Sequence, residues 1–263
     1  MSYTFTPQDI ENFHRDGYVI IRKAFLQEQM DLLLATTKSD LGLADGAFNM
    51  ADAKGRKSKL KLWDFAGEDL YGMFARCESI VCNVEKLLGS KVYTFHNKIM
   101  MKEPLVGGAW EWHQDYGYWY NDKILAPDLV SVMVAIDRAT RENGCLQVLR
   151  GSHKIGRIEH GGVGNQAGAD LERVEAVRKR CDLVYVELEP GDACFFHCNT
   201  LHGSAANESP NPRWTMICCY NSVNNTPYDG SVHHGHDYNP VKVVPDSRIL
   251  EVGAKSDFGA AVK

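Results

Sequence analysis

The sequence holds no run approaching the ~20 apolar residues that cross a bilayer. Its opening, Met-Ser-Tyr-Thr-Phe-Thr-Pro, has no basic stretch leading into an apolar one. Neither a membrane-embedded nor a secreted chain is expected; the expectation is a cytoplasmic protein. Positive charge is not in excess: 29 Lys and Arg against 34 Asp and Glu leave a net charge of −5. That speaks against nucleic-acid binding driven by bulk charge, while leaving room for a local basic pocket. Eight cysteines are present but no C-x-x-C pair, so paired zinc spacing is missing and the thiols are expected to be reduced and mostly buried. There is no internal repeat and no low-complexity linker, so one domain over residues 1–263 is expected. What remains, 44% hydrophobic and 24% charged over 263 residues, is an ordinary globular composition, long enough for a substantial core. Nothing in it speaks to oligomeric state.

Punctuating residues divide the chain. Thr6-Pro7-Gln8-Asp9 opens a helix, with Thr6 as N-cap, Pro7 at the first position and Asp9 at the positive end of the dipole. Gly17 ends it, ahead of a short strand over Tyr18–Ile21. A second helix is expected from about Leu26 to Lys38, with Met30, Leu33 and Leu34 on its buried stripe. A third runs from Ser79 to Leu88, closed by Gly89. Between them the pattern weakens, ending in a basic run of Lys54, Arg56, Lys57, Lys59 and Lys61. This reads as a solvated loop, with a mobile cationic lid as the sharper alternative.

From Lys91 onward strands dominate: Lys91–Phe95, Asn97–Lys102, Asp128–Asp137, Cys145–Leu149, Leu183–Leu188, Ala193–His197 and Arg213–Tyr220. Turns such as Glu142-Asn143-Gly144 and Glu189-Pro190-Gly191-Asp192 separate them. The glycine-rich 156–169 and an amphipathic helix over 170–180 read as an excursion, and the chain after Tyr228 as an irregular tail with a flexible Gly259-Ala260-Ala261. The pattern predicts a mainly β barrel or sandwich with flanking helices. Its parts are a helical layer at about 6–90 and a β core at about 91–225, the latter interrupted at about 151–182. One mouth of such a core can hold a ligand.

The chemistry concentrates in Trp110-Glu111-Trp112-His113-Gln114-Asp115-Tyr116. On a strand, positions i and i+2 share a face, so His113 and Asp115 can reach one metal ion together while Gln114 points away. Two histidines and a carboxylate are the ligand set of non-haem Fe(II) oxygenases, and His202 is the best candidate for the third. Taken alone, a His-x-Asp pair is more often a surface or hydrogen-bonded couple. Arg213 follows His202 by 213 − 202 = 11 residues. That is enough for a turn and a return along the next strand, bringing the guanidinium into the same cavity. There it needs an anion, and a carboxylate suits its fork. Ser204 is placed to add a hydroxyl.

Other polar residues have plainer readings. His197 reads as a core histidine, His233-His234-Gly235-His236 as an exposed loop, and Cys194 and Cys198 as packed apolar groups. Tyr116, Tyr118, Trp119 and Tyr120 either cover the mouth or form an aromatic wall for substrate, with Gln114 as a further substrate candidate.

Several pieces together resemble the phytanoyl-CoA dioxygenase family of Fe(II)/2-oxoglutarate-dependent oxygenases, over about residues 5–225. They are Asp16-Gly17-Tyr18-Val19, Trp112-His113-Gln114-Asp115, Glu142-Asn143-Gly144-Cys145-Leu146-Gln147-Val148, Gly151-Ser152-His153-Lys154, Pro190-Gly191-Asp192, and Leu201-His202-Gly203-Ser204 with Arg213 beyond. The resemblance implies a double-stranded β-helix (jelly-roll, cupin-like) core. It implies His113, Asp115 and His202 as iron ligands, Arg213 with Ser204 at the distal carboxylate of 2-oxoglutarate, and Lys98 and Met133 near the co-substrate. At Met133 some relatives carry Trp. The implied cofactor is Fe(II), with 2-oxoglutarate and O2 as co-substrates and ascorbate as a support.

The implied reaction hydroxylates an unactivated C–H bond of a small molecule and releases succinate and CO2. Relatives that halogenate lack the carboxylate, whereas Asp115 is intact. Leu149-Arg150 replaces the frequent Pro before Gly-Ser-His, for which a local backbone change is expected. Two other classes are compatible with the metal set: a cupin-like binding protein without turnover, and a zinc isomerase or hydrolase. The primary substrate stays open among acyl-CoA, amino acid or osmolyte, phosphonate and secondary metabolite. No nucleic-acid or membrane partner is expected.

Overall fold

The computed structural model describes residues 2–163, 165–232 and 238–258; His233-His234-Gly235-His236 and Gly259-Ala260-Ala261 fall outside them. The chain begins with α1 (Pro7–Asp16), β1 (Tyr18–Ile21), α2 (Gln27–Ser39), α3 (Leu41–Asp45), β2 (Phe48–Ala51), β3 (Lys57–Trp63), α4 (Leu70–Arg76) and α5 (Glu78–Leu88). It continues through β4 (Val92–Lys102), β5 (Trp110–His113), α6 (Asp115–Trp119), β6 (Leu129–Ala135), β7 (Leu146–Leu149), β8 (His160–Val163), β9 (Gln166–Ala169) and α7 (Leu171–Arg178). It ends with β10 (Leu183–Val186), β11 (Ala193–His197), β12 (His202–Ser204), β13 (Arg213–Ser222) and α8 (Arg248–Val252).

Two antiparallel sheets make the jelly roll. The larger runs β1-β11-β6-β13-β4-β3-β2 and the smaller β10-β7-β12-β5, with β8-β9 as a separate hairpin. The central strand β6 is buried at every position because the sheet is covered on both faces. Val130, Val132 and Val134 pack outward into a core shared with the helices, against Phe13, Phe74 and Val81. Leu129, Met133 and Ala135 face inward with Phe196, Ile217 and Leu146. Strand alternation thus assigns one residue set to stability and the next to the interior.

The helix signals hold. Thr6 and Asp9 form a reciprocal capping box, and Gly17 closes α1 at φ +82°; Gly89 closes α5 at φ +63°. Elsewhere the structure corrects the expectations. The basic run is divided: Lys54 and Arg56 lie in the turn after β2, as a loop reading supposes, while residues 57–63 are β3, which pairs with β4 and with β2. Its lysines alternate with the buried Ser58 and Leu60, so the charges are the outer face of a strand. Asp52 ties the connecting turn down by accepting from the amides of Lys54, Arg56 and Ala109.

The helical layer is interleaved with the sheet, since β1, β2 and β3 all precede residue 91. The excursion contains the β8–β9 hairpin. The tail is not wholly irregular, for α8 docks with Ile249 fully buried. All eight cysteines are free, six of them buried. No helix among the described residues is long and apolar enough to cross a membrane.

Candidate active site

His113 ends β5 and lies opposite His202, the first residue of β12, across an antiparallel pair. Opposed residues send their side chains to one face, and the two imidazole centroids lie 4.0 Å apart. The strand stops at His113: Gln114 is still extended, but Asp115 opens α6. Asp115 therefore reaches the shared face from the start of a helix rather than from a continuing strand. Its Oδ1 is 3.7 Å from His113 Nε2 and 3.9 Å from His202 Nε2. These buried residues are the one cluster with metal-ligand spacing among the described residues.

Hydrogen bonds settle which lone pairs are free. His113 Nδ1 lies 2.7 Å from the carbonyl of Glu111 and His202 Nδ1 lies 2.8 Å from that of Thr200. A carbonyl only accepts, so each Nδ1 carries the hydrogen and each Nε2 presents a lone pair to the centre. Ser131, on the inward face of β6, donates to Asp115 Oδ2 at 2.7 Å and leaves Oδ1 for the same centre. Burial lowers the pKa of His113 well below its ordinary value and lowers that of His202. Burial works against ionising Asp115, but Lys98, the two imidazoles and Ser131 outweigh it and bring the carboxyl to about 2. Two neutral imidazoles and one carboxylate suit a borderline divalent transition metal with open positions, and Fe(II) in particular.

A cavity beside this centre is lined by Lys98, Met133, His113, His202, Ser204 and Arg213. Arg213 enters from the opposite sheet, because the chain crosses between sheets after β12 rather than returning along the next strand of the same one. It is 1% exposed. Its Nη2 donates to the Gly144 carbonyl at 2.6 Å, while its buried Nε has no partner. An unpartnered guanidinium N–H at the cavity suits an incoming carboxylate. Gly144, at φ +76°, admits no side chain because a Cβ would collide with the Ala205 carbonyl.

Of the residues considered for substrate, only Tyr118 borders the metal-facing groups. Its ring lies 5.4 Å from His113 and its hydroxyl donates to the Ala167 carbonyl at 2.6 Å. Tyr116 donates to the carbonyls of Ile124 and Leu125, and Trp119 packs on Phe95. The Gln114 amide is buried and committed to Gly156, Ile158 and Asn199. His197 accepts from the Asn199 amide, outside the cluster, as a core histidine does. Sequence reasoning missed Ser131, a polar residue inside an otherwise apolar strand, which was the available signal.

A jelly roll with a His-x-Asp…His centre and a buried arginine on the opposite wall defines a class, the Fe(II)- and 2-oxoglutarate-dependent dioxygenases. Within it, the family model for phytanoyl-CoA dioxygenase (PhyH) matches residues 13–215, and the chain belongs to that family. L-proline trans-4-hydroxylase of Streptomyces griseoviridis is 32% identical over 181 residues, 61% of this chain and 66% of that enzyme. Ectoine dioxygenase of Streptomyces avermitilis is 24% identical over 261 residues, covering 90% and 88%.

Among solved structures, EctD from S. alaskensis with 2-oxoglutarate and 5-hydroxyectoine superposes with a TM-score of 0.77 at 22% identity, over 92% of this chain and 89% of that one. The epimerase SnoN in complex with Fe3+, alpha ketoglutarate and nogalamycin RO gives 0.72 at 20%, over 90% and 93%. At these identities the superpositions establish the fold. A binding protein without turnover is not favoured.

Proposed function

We propose that this single-domain dioxygenase hydroxylates a small, polar, amino-acid-like molecule. In this reading His113, Asp115 and His202 hold Fe(II). Arg213 and Ser204 hold the distal carboxylate of 2-oxoglutarate, and Lys98 and Met133 flank the co-substrate. Bound iron supplies O2 activation coupled to oxidation of 2-oxoglutarate to succinate and CO2. The protein's part is to keep three lone pairs aimed at one point, to orient both carboxyl ends of the co-substrate, and to shed water from a cavity walled by Phe196, Leu146 and Trp110. Tyr118 provides a substrate wall. Ascorbate supports activity by keeping iron reduced, and the free thiols suit a reducing, cytoplasmic setting.

The observation that carries the reading is that His113 and His202, which with Asp115 form a cluster able to hold a metal, line the same cavity as Arg213, whose buried Nε is unpartnered. The proline- and ectoine-oxidising relatives support a compact substrate over an acyl-CoA. The test is succinate release with Fe(II), 2-oxoglutarate and ascorbate, stimulated by members of a panel of cyclic and acyclic amino acids. H113A and D115A are expected to abolish it. Turnover that survives D115A, or that proceeds anaerobically with zinc and without 2-oxoglutarate, rejects the assignment.

A further inference from the structure

Lys102, the last residue of β4, is a buried charge that the site described so far does not use. It is fully buried, and an ammonium withdrawn from water needs compensation. Its Nζ donates to Ser204 Oγ at 2.7 Å and to the Ala205 carbonyl at 2.5 Å. Among the described residues it makes no ion pair. Across the β4–β13 ladder it stands opposite Arg213, itself fully buried and, among the described residues, without a carboxylate in ion-pair contact. Two like charges therefore sit side by side in the interior, one of them with an idle Nε.

The hydrogen-bond direction matters. A protonated Lys102 can only donate, so the Ser204 oxygen is its acceptor and the Ser204 hydrogen is left for another group. Ser204 and Arg213 line the cavity, and Lys102 stands behind Ser204. Burial, and then Arg213, push the Lys102 pKa well below its ordinary value; an anion on the cavity side of Ser204 opposes that push.

We infer that Lys102 is a positioning residue for the co-substrate: it makes Ser204 a committed donor and, with Arg213, forms a two-cation floor beneath the distal carboxylate of 2-oxoglutarate. The inference rests on the 2-oxoglutarate reading, and one binding experiment separates the two. The Fe(II)-loaded protein is titrated anaerobically with 2-oxoglutarate and with 2-oxobutyrate, which keeps the keto-acid end but lacks the distal carboxylate. The metal-to-ligand charge-transfer absorption is followed.

In Lys102→Met, affinity for 2-oxoglutarate is expected to fall roughly tenfold or more, the worth of a charge-assisted hydrogen bond. Affinity for 2-oxobutyrate is expected to stay unchanged, and adding Ser204→Ala to K102M to cost little more. No loss, or equal loss for both acids, overturns the inference. If K102M does not fold, Lys102→Gln, which keeps N–H donors without the charge, is measured in the same way. Failure of both to fold in saturating Fe(II) and 2-oxoglutarate overturns it too, since Lys102 would then serve the fold. Absence of the absorption band in the unaltered protein with either acid overturns the 2-oxoglutarate reading and this inference with it.

Discussion

A metal ligand is defined as much by its back side as by its free lone pair. The carbonyls of Glu111 and Thr200 fix the tautomers of His113 and His202, and Ser131 pins the second oxygen of Asp115. Ser131→Ala leaves that oxygen without its donor and the carboxylate free to turn. Fe(II) affinity is expected to weaken by roughly 10–100-fold, the usual cost of losing such support, with a smaller change in 2-oxoglutarate KM; an anaerobic Fe(II) titration checks it. The candidate ligands could be named because residue types, spacing and the family resemblance pointed to the same three positions. Ser131 and Lys102 were not legible, because their meaning comes from neighbours on other strands: β6 brings Ser131 beneath Asp115, and β13 brings Arg213 beside Lys102.

Elements announced themselves where local chemistry decides them. The Thr6–Asp9 capping box is an example, and Thr6→Ala is expected to cost about 1 kcal/mol in urea unfolding. Elements hid where polarity misled. Lys57, Lys59 and Lys61 looked like a charge run because the alternating buried positions include Ser58 as well as Leu60. The β8–β9 hairpin hid among glycines, yet it is tied to the site. His160 accepts from the Gln114 amide at 2.9 Å, and a Cβ on Gly117 would collide with the His160 ring. Gly117→Ala is therefore expected to displace the hairpin from Tyr118. The measured result should be a raised KM for the primary substrate with 2-oxoglutarate affinity largely kept.

The family motifs do much of their work at the scale of the whole molecule. Gly151 donates its amide to the Asp16 carbonyl at 2.7 Å, Thr200 donates its hydroxyl to Gly17 at 2.7 Å, and the Ser152 hydroxyl accepts from the Leu201 amide at 2.8 Å. Three distant segments thus lock together just before His202. His153 and His197 lie in this junction, their rings 5.4 Å apart, facing His14 and the Phe13 ring. Burial lowers the pKa of both, that of His197 to about 4.

Unfolded, these histidines bind protons near their ordinary value of 6.5; folded, they resist. Between about 4 and 6.5 the unfolded chain binds more protons, so stability is present above that window and lost as pH falls through it. Urea midpoints should drop from pH 7.5 to pH 5, and His197→Asn should flatten the slope.

The two-faced β6 has a practical consequence. Because Val130, Val132 and Val134 are spent on the helices while Leu129 and Ala135 look inward, an engineer can change those two inner positions without touching the outer face or the Ser131 and Met133 that serve the site. Libraries confined to such alternate positions could redirect the enzyme toward new molecules while the helical half of the protein goes on holding it upright.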